Sequence, residues 1–270
     1  MTVRSTIALI IAALLLMRCE EQFVAELNVT DLDLIVVDGI LTNENLNHRI
    51  KVTRPHTELG GTGIPVSGAV LEIYEGDTKK FTVTEFPVGS GEYFTEQMRA
   101  VVGEVYTLRM FYGGKVFFAQ NVSTPVEPLE TIQYSQSAAS PDLFRIELNE
   151  SGRDPNFISH IISWQGTQSC QVNEACGGVI VHYDLKTADA NELFKPDKKE
   201  FLIPAGAIVV RKKYSVNPSY RSFLRGVLSE TEWRGGVFDI QRDNASSNLS
   251  AGAIGFFAVS TVVSDTTIIQ

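Results

Sequence analysis

The sequence predicts a mainly β protein: a β-sandwich followed by a second β-rich domain that carries one short helix. Three observations predict it. From residue 33 onward, short β-branched and aromatic runs recur at a spacing of about ten residues, as in sandwiches and barrels. Clusters such as Thr42-Asn43-Glu44-Asn45, Gly60-Gly61-Thr62-Gly63, Glu75-Gly76-Asp77, Gly89-Ser90-Gly91 and Gly113-Gly114 separate these runs, and their residues supply positive φ or side-chain turns. Helical spacing of apolar residues stands out in a single stretch. Composition agrees with a packed fold: 270 residues, 44% hydrophobic, 20% charged, 21 Gly, 10 Pro and 3 Cys. Such a chain can bury one large or two ordinary cores without a dense disulfide framework, which excludes disordered, collagen-like and knottin-like classes.

Taken in chain order, Arg4 precedes the ten-residue apolar run 7–16, IALIIAALLL. A bilayer-spanning helix needs about 20 residues, so the run suits the core of a signal peptide. Residues 1–18 are therefore expected to be a signal peptide. Leu16-Met17-Arg18-Cys19 looks like a bacterial lipobox, with Cys19 as the lipidated first residue, although Arg18 stands where such sites usually carry a small residue. Residues 19–29 then form an anchor linker, in which Glu20-Glu21 resembles an acidic surface-export signal.

Strands of the first sandwich, residues 30–124, are expected at 34–38, 48–53, 69–74, 80–84, 92–95, 105–111 and 115–121. Tyr112-Gly113-Gly114-Lys115 fits a tight hairpin, because two glycines can adopt the primed turns that match strand twist. Thr124-Pro125-Val126-Glu127-Pro128 breaks the pattern, since each proline removes a ladder donor, and the domain boundary is placed there. In the second domain, residues 125–270, strands are expected at 131–134, 144–149, 158–164, 178–184, 200–203, 208–216, 236–240 and 254–264. The helix is expected from Asn217, a capping residue, through Pro218 at the first helical position, with Tyr220, Phe223, Leu224, Val227 and Leu228 on one face.

Chemistry-bearing motifs are scarce. Formal net charge is −9, and the basic stretches Arg211-Lys212-Lys213 and Lys198-Lys199 are short, so a phosphate backbone is repelled and nucleic acid is not an expected partner. His48, His56, His160 and His182 form no metalloprotease pair, and nucleophile-elbow, phosphate-loop and dinucleotide-binding glycine patterns are missing. No catalytic residue, metal ligand or cofactor is assigned. Cys170 and Cys176 bracket a short polar loop; in an oxidising compartment a disulfide is the leading expectation, against a zinc site needing two further ligands and against free buried thiols. Aromatics including Tyr93, Tyr106, Tyr183, Tyr214 and Tyr220 are assigned to packing ahead of a sugar- or peptide-binding platform. Because loops on a rigid sandwich carry binding, candidate binding residues are Glu58 and Thr62 in one loop and Gln171, Asn173 and Glu174 in the other.

A family resemblance adds to this. Cys19-Glu20-Glu21, the block Val37-Asp38-Gly39-Ile40-Leu41-Thr42-Asn43, His48-Arg49-Ile50-Lys51-Val52-Thr53-Arg54, Pro65-Val66-Ser67-Gly68-Ala69-Val70, Gly91-Glu92-Tyr93, Gly103-Glu104-Val105-Tyr106-Thr107-Leu108 and Gly252-Ala253-Ile254-Gly255-Phe256-Phe257 resemble Bacteroidota outer-membrane lipoproteins of the domain of unknown function 4249 family. The Gly-x-Tyr and Gly-x-x-Tyr-x-Leu steps are also similar to transthyretin-like and carboxypeptidase-regulatory-like sandwiches, which implies an Ig-like or transthyretin-like first half. The resemblance implies a lipid-anchored, cell-surface-facing outer-membrane protein. Its expected function is that of an accessory or ligand-binding subunit of a TonB-dependent nutrient uptake system, with a TonB-dependent transporter or associated lipoproteins as partners and an oligosaccharide or peptide as ligand. The alternatives are a secreted β-sandwich hydrolase and a structural or adhesive surface module.

Overall fold

The computed structural model describes residues 34–56, 61–138, 140–148, 152–171, 175–195, 201–236 and 245–270. The expected signal peptide, the linker and Cys19 lie outside the described residues, as do Glu58, Asn173, Glu174 and nearly all of the strand expected at 236–240.

The first sheet is built from β1 (Ile35–Thr42), β2 (Arg49–Arg54), β3 (Ile64–Pro65), β4 (Val70–Glu75), β5 (Thr78–Glu85), β6 (Glu92–Phe94), β7 (Val105–Tyr112) and β8 (Lys115–Val122), joined from the far end of the chain by β15 (Ala253–Ser260). Its order is β15-β1-β2-β6-β5-β4-β7-β8, with β3 on β2. The ends of that path meet: Ser250 donates its backbone N–H to the Phe118 carbonyl at 2.9 Å, and its hydroxyl accepts from Phe118 N–H at 3.0 Å. The sheet therefore curls around one interior. Alternation along the strands puts Val37, Leu41, Ile50, Val52, Leu71, Ile73, Leu108, Met110 and Phe257 inside. Two tyrosines reach into this interior without orphaning their hydroxyls. Tyr93 donates to the Val66 carbonyl at 2.8 Å and accepts from Ala69 N–H. Tyr106 donates to Glu75 at 2.8 Å and accepts from Val101 N–H.

The expected hairpin after β7 is present, with φ of 57° and 74° at Gly113 and Gly114, as a primed turn requires. A second glycine is dictated by close approach. At Gly255, φ is 99° and an added Cβ would stand 2.1 Å from the Val37 carbonyl oxygen, so the parallel pairing of β1 with β15 needs glycine there.

The remaining strands form two smaller sheets. One is β13-β10-β9, from β9 (Tyr134–Gln136), β10 (Leu143–Ile146) and β13 (Leu202–Pro204). The other is β12-β11-β14-β16, from β11 (Asn156–Ser163), β12 (Gly177–Asp184), β14 (Ile208–Ser215) and β16 (Val262–Ile268). Ile132, Ile146, Ile162, Ile203, Val209 and Ile269 form a second core. Among the described residues there are two helices, the four-residue α1 (Ala190–Leu193) and α2 (Pro218–Glu230). The Asn217 cap of α2 behaves as its sequence predicts: its side-chain oxygen accepts from Tyr220 N–H at 2.9 Å. The same side chain donates to the Val122 carbonyl at 2.9 Å, tying the helix to the end of β8. Leu224 and Leu228 then pack with Leu185, Val216 and Trp233.

Several expectations are corrected. The run 254–264 is not one strand. It breaks at Thr261, so β15 completes the first sheet while β16 belongs to the third. The break is held by Thr261 N–H donating to the Ser215 hydroxyl at 2.8 Å and the Thr261 hydroxyl donating to the Thr124 carbonyl at 2.6 Å. A contiguous division into 30–124 and 125–270 therefore does not separate the sheets, because the first takes a strand from the last twenty residues. The strand expected at 131–134 forms later, at Tyr134–Gln136, and neither β3 nor α1 was expected.

Candidate binding groove

An open groove of about 280 Å³ lies where the first sheet meets the third, lined by Asp38, Gly39, Ile40, Thr42, Glu44, Leu46, Asn47, His48, Arg49, Lys212 and Tyr214. Strand alternation selects these side chains. On β14, Val209, Arg211, Lys213 and Ser215 point to the buried face, which leaves Lys212 and Tyr214 on the face toward the groove. On β1 the exposed Asp38 lies between the buried Val37 and Gly39.

The turn after β1 fixes the rim. Asn43 donates its amide to the Val262 carbonyl at 3.2 Å and accepts from Val262 N–H at 2.7 Å, imitating a strand pairing between the two sheets. One residue on, Glu44 accepts from Lys212 at 2.7 Å, with both side chains partly exposed. Arg49 pairs with Glu92 at 2.7 Å beside it. The groove thus presents both signs of charge.

Beneath the rim, His48 is buried: its Nε2 lies 3.1 Å from the Met98 carbonyl, and its backbone N–H donates to Thr95 Oγ1 at 2.9 Å. Burial lowers its pKa, so the ring is neutral and structural. The wall is aromatic. Tyr214 stacks on Phe157 with centroids 4.5 Å apart and planes 7° from parallel, and Phe157 leads through Tyr220 to Phe256 and Phe223. Burial, then the nearby Glu44 carboxylate, raises the Tyr214 pKa and keeps its phenol protonated. A rigid phenol, an amide and two ion pairs can hold a polar ligand through directed hydrogen bonds on a preformed scaffold. The volume suits one unit of a larger ligand better than a whole drug-sized molecule. Among the described residues no three His, Cys, Asp or Glu side chains gather as a metal ion would need.

The opposite face of the third sheet is also polar, but closed. Arg211 donates to Asp265 through Nε at 2.9 Å and to the Glu130 carbonyl at 2.6 Å. Lys213, almost fully buried, reaches the Pro128 carbonyl at 3.5 Å; burial lowers its pKa while Glu127 and Glu130 pull it back up. Glu127 in turn accepts from Arg153 N–H at 2.7 Å. These contacts hold the proline-rich segment 124–130 against the sheet, so the cations here are structural.

Of the residues expected to bind, Thr62 and Gln171 are exposed but do not meet. Thr62 precedes β3 beside the start of β1, and Gln171 lies in the β11–β12 connection, beyond the Ser163–Gly177 pairing at the far end of the third sheet. Neither lines the groove. Cys170 and Cys176 form the expected disulfide, closing that connection. Sequence reading assigned none of Asp38, Glu44, Lys212 and Tyr214 to binding and placed Tyr214 among the packing aromatics. The one available signal was alternation: Arg211-Lys212-Lys213 within a strand must send Lys212 to the face opposite its neighbours.

A family model described as "Domain of unknown function (DUF4249)" matches residues 20–266. No curated protein matches the chain.

Proposed function

The chain belongs to the DUF4249 family, and from that premise we propose that it is a lipid-anchored accessory or ligand-binding subunit of a TonB-dependent nutrient uptake system at the outer membrane. The observation that carries this reading is the groove at Asp38, Glu44, Lys212 and Tyr214: preformed, open to solvent, of mixed charge, and set on rigid sheets. Such a site suits reversible capture of a polar ligand, an oligosaccharide or a peptide. The basic start, the short apolar run and Cys19 support a tether, and the acidic balance of 32 Asp and Glu against 23 Lys and Arg weighs against nucleic acid.

Affinity recovery of the native protein from outer membranes tests the reading. A TonB-dependent transporter should be recovered with it, and recovery should weaken in a Glu44→Ala, Lys212→Ala variant. Recovery of the protein alone, from membranes in which the transporter is intact, removes the accessory-subunit assignment. Intact-mass measurement beside Cys19→Ala checks the tether separately.

A further inference from the structure

The sandwich has two unlike ends. At the distal end, the turn after β1 is bonded to the third sheet through Asn43–Val262 and Glu44–Lys212, and the exit from β8 to the break that leads into it through Ser123–Thr261. At the proximal end the chain enters β1 at Ile35. The registers place there the end of β2, β3, the loop between β5 and β6, and the β7–β8 hairpin, since Val36 pairs with Thr53, Arg54 with Ile64, Glu85 with Tyr93 and Tyr112 with Lys115.

This end and its flank expose apolar side chains that a solvated surface does not need. Phe86 is 70% and Val88 87% exposed at the tip of the β5–β6 loop, and Ile64 is 54% exposed on β3. On the outer face beside the hairpin, Phe111, Val116 and Phe118, with Thr107 and Arg109, line a shallow depression of about 420 Å³. Large apolar side chains exposed together at one end of a fold mark a contact surface.

The tip is held rigid from below. The Glu85 carboxylate accepts from Gly89 N–H and Gly91 N–H, each at 3.0 Å, from the Ser67 hydroxyl at 2.8 Å and from Gly68 N–H at 3.2 Å. Phe86 N–H donates to the Glu92 carbonyl at 2.9 Å and Ser90 N–H to the Pro87 carbonyl at 3.1 Å. With the N–H groups of Phe86, Gly89, Ser90 and Gly91 partnered, the loop's shape is held in place and it can meet an apolar phase with little ordering cost.

We propose that the proximal end of the sandwich is a lipid-facing surface, with Phe86 and Val88 inserted into the bilayer interface beside the anchor. The proposal rests on the lipid-anchored reading above. The chain's path argues for lipid over a protein partner: fourteen residues separate Cys19 from Leu34, which span at most about 50 Å even when extended. The end nearest the tether is the one bearing the exposed loop. A net charge of −9 gives no long-range attraction to anionic lipid, so the contact must be apolar.

The test reconstitutes the full membrane-extracted chain into phosphatidylethanolamine and phosphatidylglycerol vesicles, with an environment-sensitive dye on Val88→Cys or, as control, on Asp77→Cys at the distal β4–β5 turn. Lipids brominated on their acyl chains should quench the dye at 88 and blue-shift its emission, with neither effect at 77. Equal response at the two positions overturns the proposal. So does shielding of 88 in native outer membranes but not in pure-lipid vesicles, which would identify a protein as the occupant. The mass of the same preparation reports Cys19 lipidation. Quenching at 88 in an unlipidated chain keeps the surface and discards the anchor, whereas a lipidated chain without quenching discards the surface alone.

Discussion

The interior of the first sheet and the inner face of the third obey the same two-residue alternation and reach opposite solutions. In the first, β1, β2, β4 and β7 send Val, Leu, Ile and Met inward, and the polar groups that enter, the Tyr93 and Tyr106 hydroxyls and the Asn121 amide, are paired. In the third, β11 and β14 send His160, Arg211 and Lys213 inward beside Ile158, Ile162 and Val209. The difference lies in what covers each face. A curled sheet closes on itself and offers apolar surface to apolar surface. The third sheet is covered partly by segment 124–130, whose carbonyls at Pro128 and Glu130 and whose Glu127 carboxylate need donors and cations opposite them. Buried charge is tolerable only where such partners are supplied.

The sharpest way to break the comparison is at Phe257, which is fully buried in the first interior. Phe257→Ala should cost about 3 to 5 kcal/mol through lost transfer energy and a residual cavity. Denaturant unfolding measures this, and a loss near 1 kcal/mol would mean that the interior is not packed as described.

Next in size is acid sensitivity on the polar side. Burial, then the Arg211 guanidinium beside it, pushes His160 down from its ordinary 6.5 to about 4. The unfolded chain therefore takes up the proton first. Stability is lost as pH falls from about 6.5 toward 4 and levels off below, by up to roughly 3 kcal/mol. Unfolding free energies across that window should flatten in His160→Gln, and an unchanged slope would assign the acid sensitivity to other groups, His48 among them, whose pKa burial also lowers.

The smallest expected effect is at Arg211. Arg211→Met should cost about 2 kcal/mol, less than a fully buried pair because the Asp265 side chain is 36% exposed. Adding Asp265→Leu should recover most of the loss. A double variant no more stable than the single would show that the Glu130 carbonyl, not the carboxylate, is what Arg211 serves.

Much of this was legible locally. Tyr112-Gly113-Gly114-Lys115 became a tight hairpin, Asn217-Pro218 opened the helix, and the strands expected at 105–111, 115–121 and 178–184 formed within a residue or so of their predicted ends. Each follows from interactions within a few residues: φ preference, a side-chain cap, alternation. The Cys170–Cys176 disulfide was legible for the same reason, its partners standing six positions apart.

The groove was not legible, because it depends on partners more than 160 positions apart. Glu44 meets Lys212, and Asn43 meets Val262, only after β15 has crossed to lie parallel to β1 and Thr261 has broken the final run between two sheets. Alternation fixes that Lys212 and Lys213 face opposite ways. It cannot say which of them will be covered, since that is set by the sheet-to-sheet arrangement and by where segment 124–130 comes to rest. The sequence by itself determined the β class, most strands and the helix. Only the tertiary structure decided which polar residues would be buried as struts and which would be left open to a ligand, because burial belongs to the contact between elements and not to any element alone.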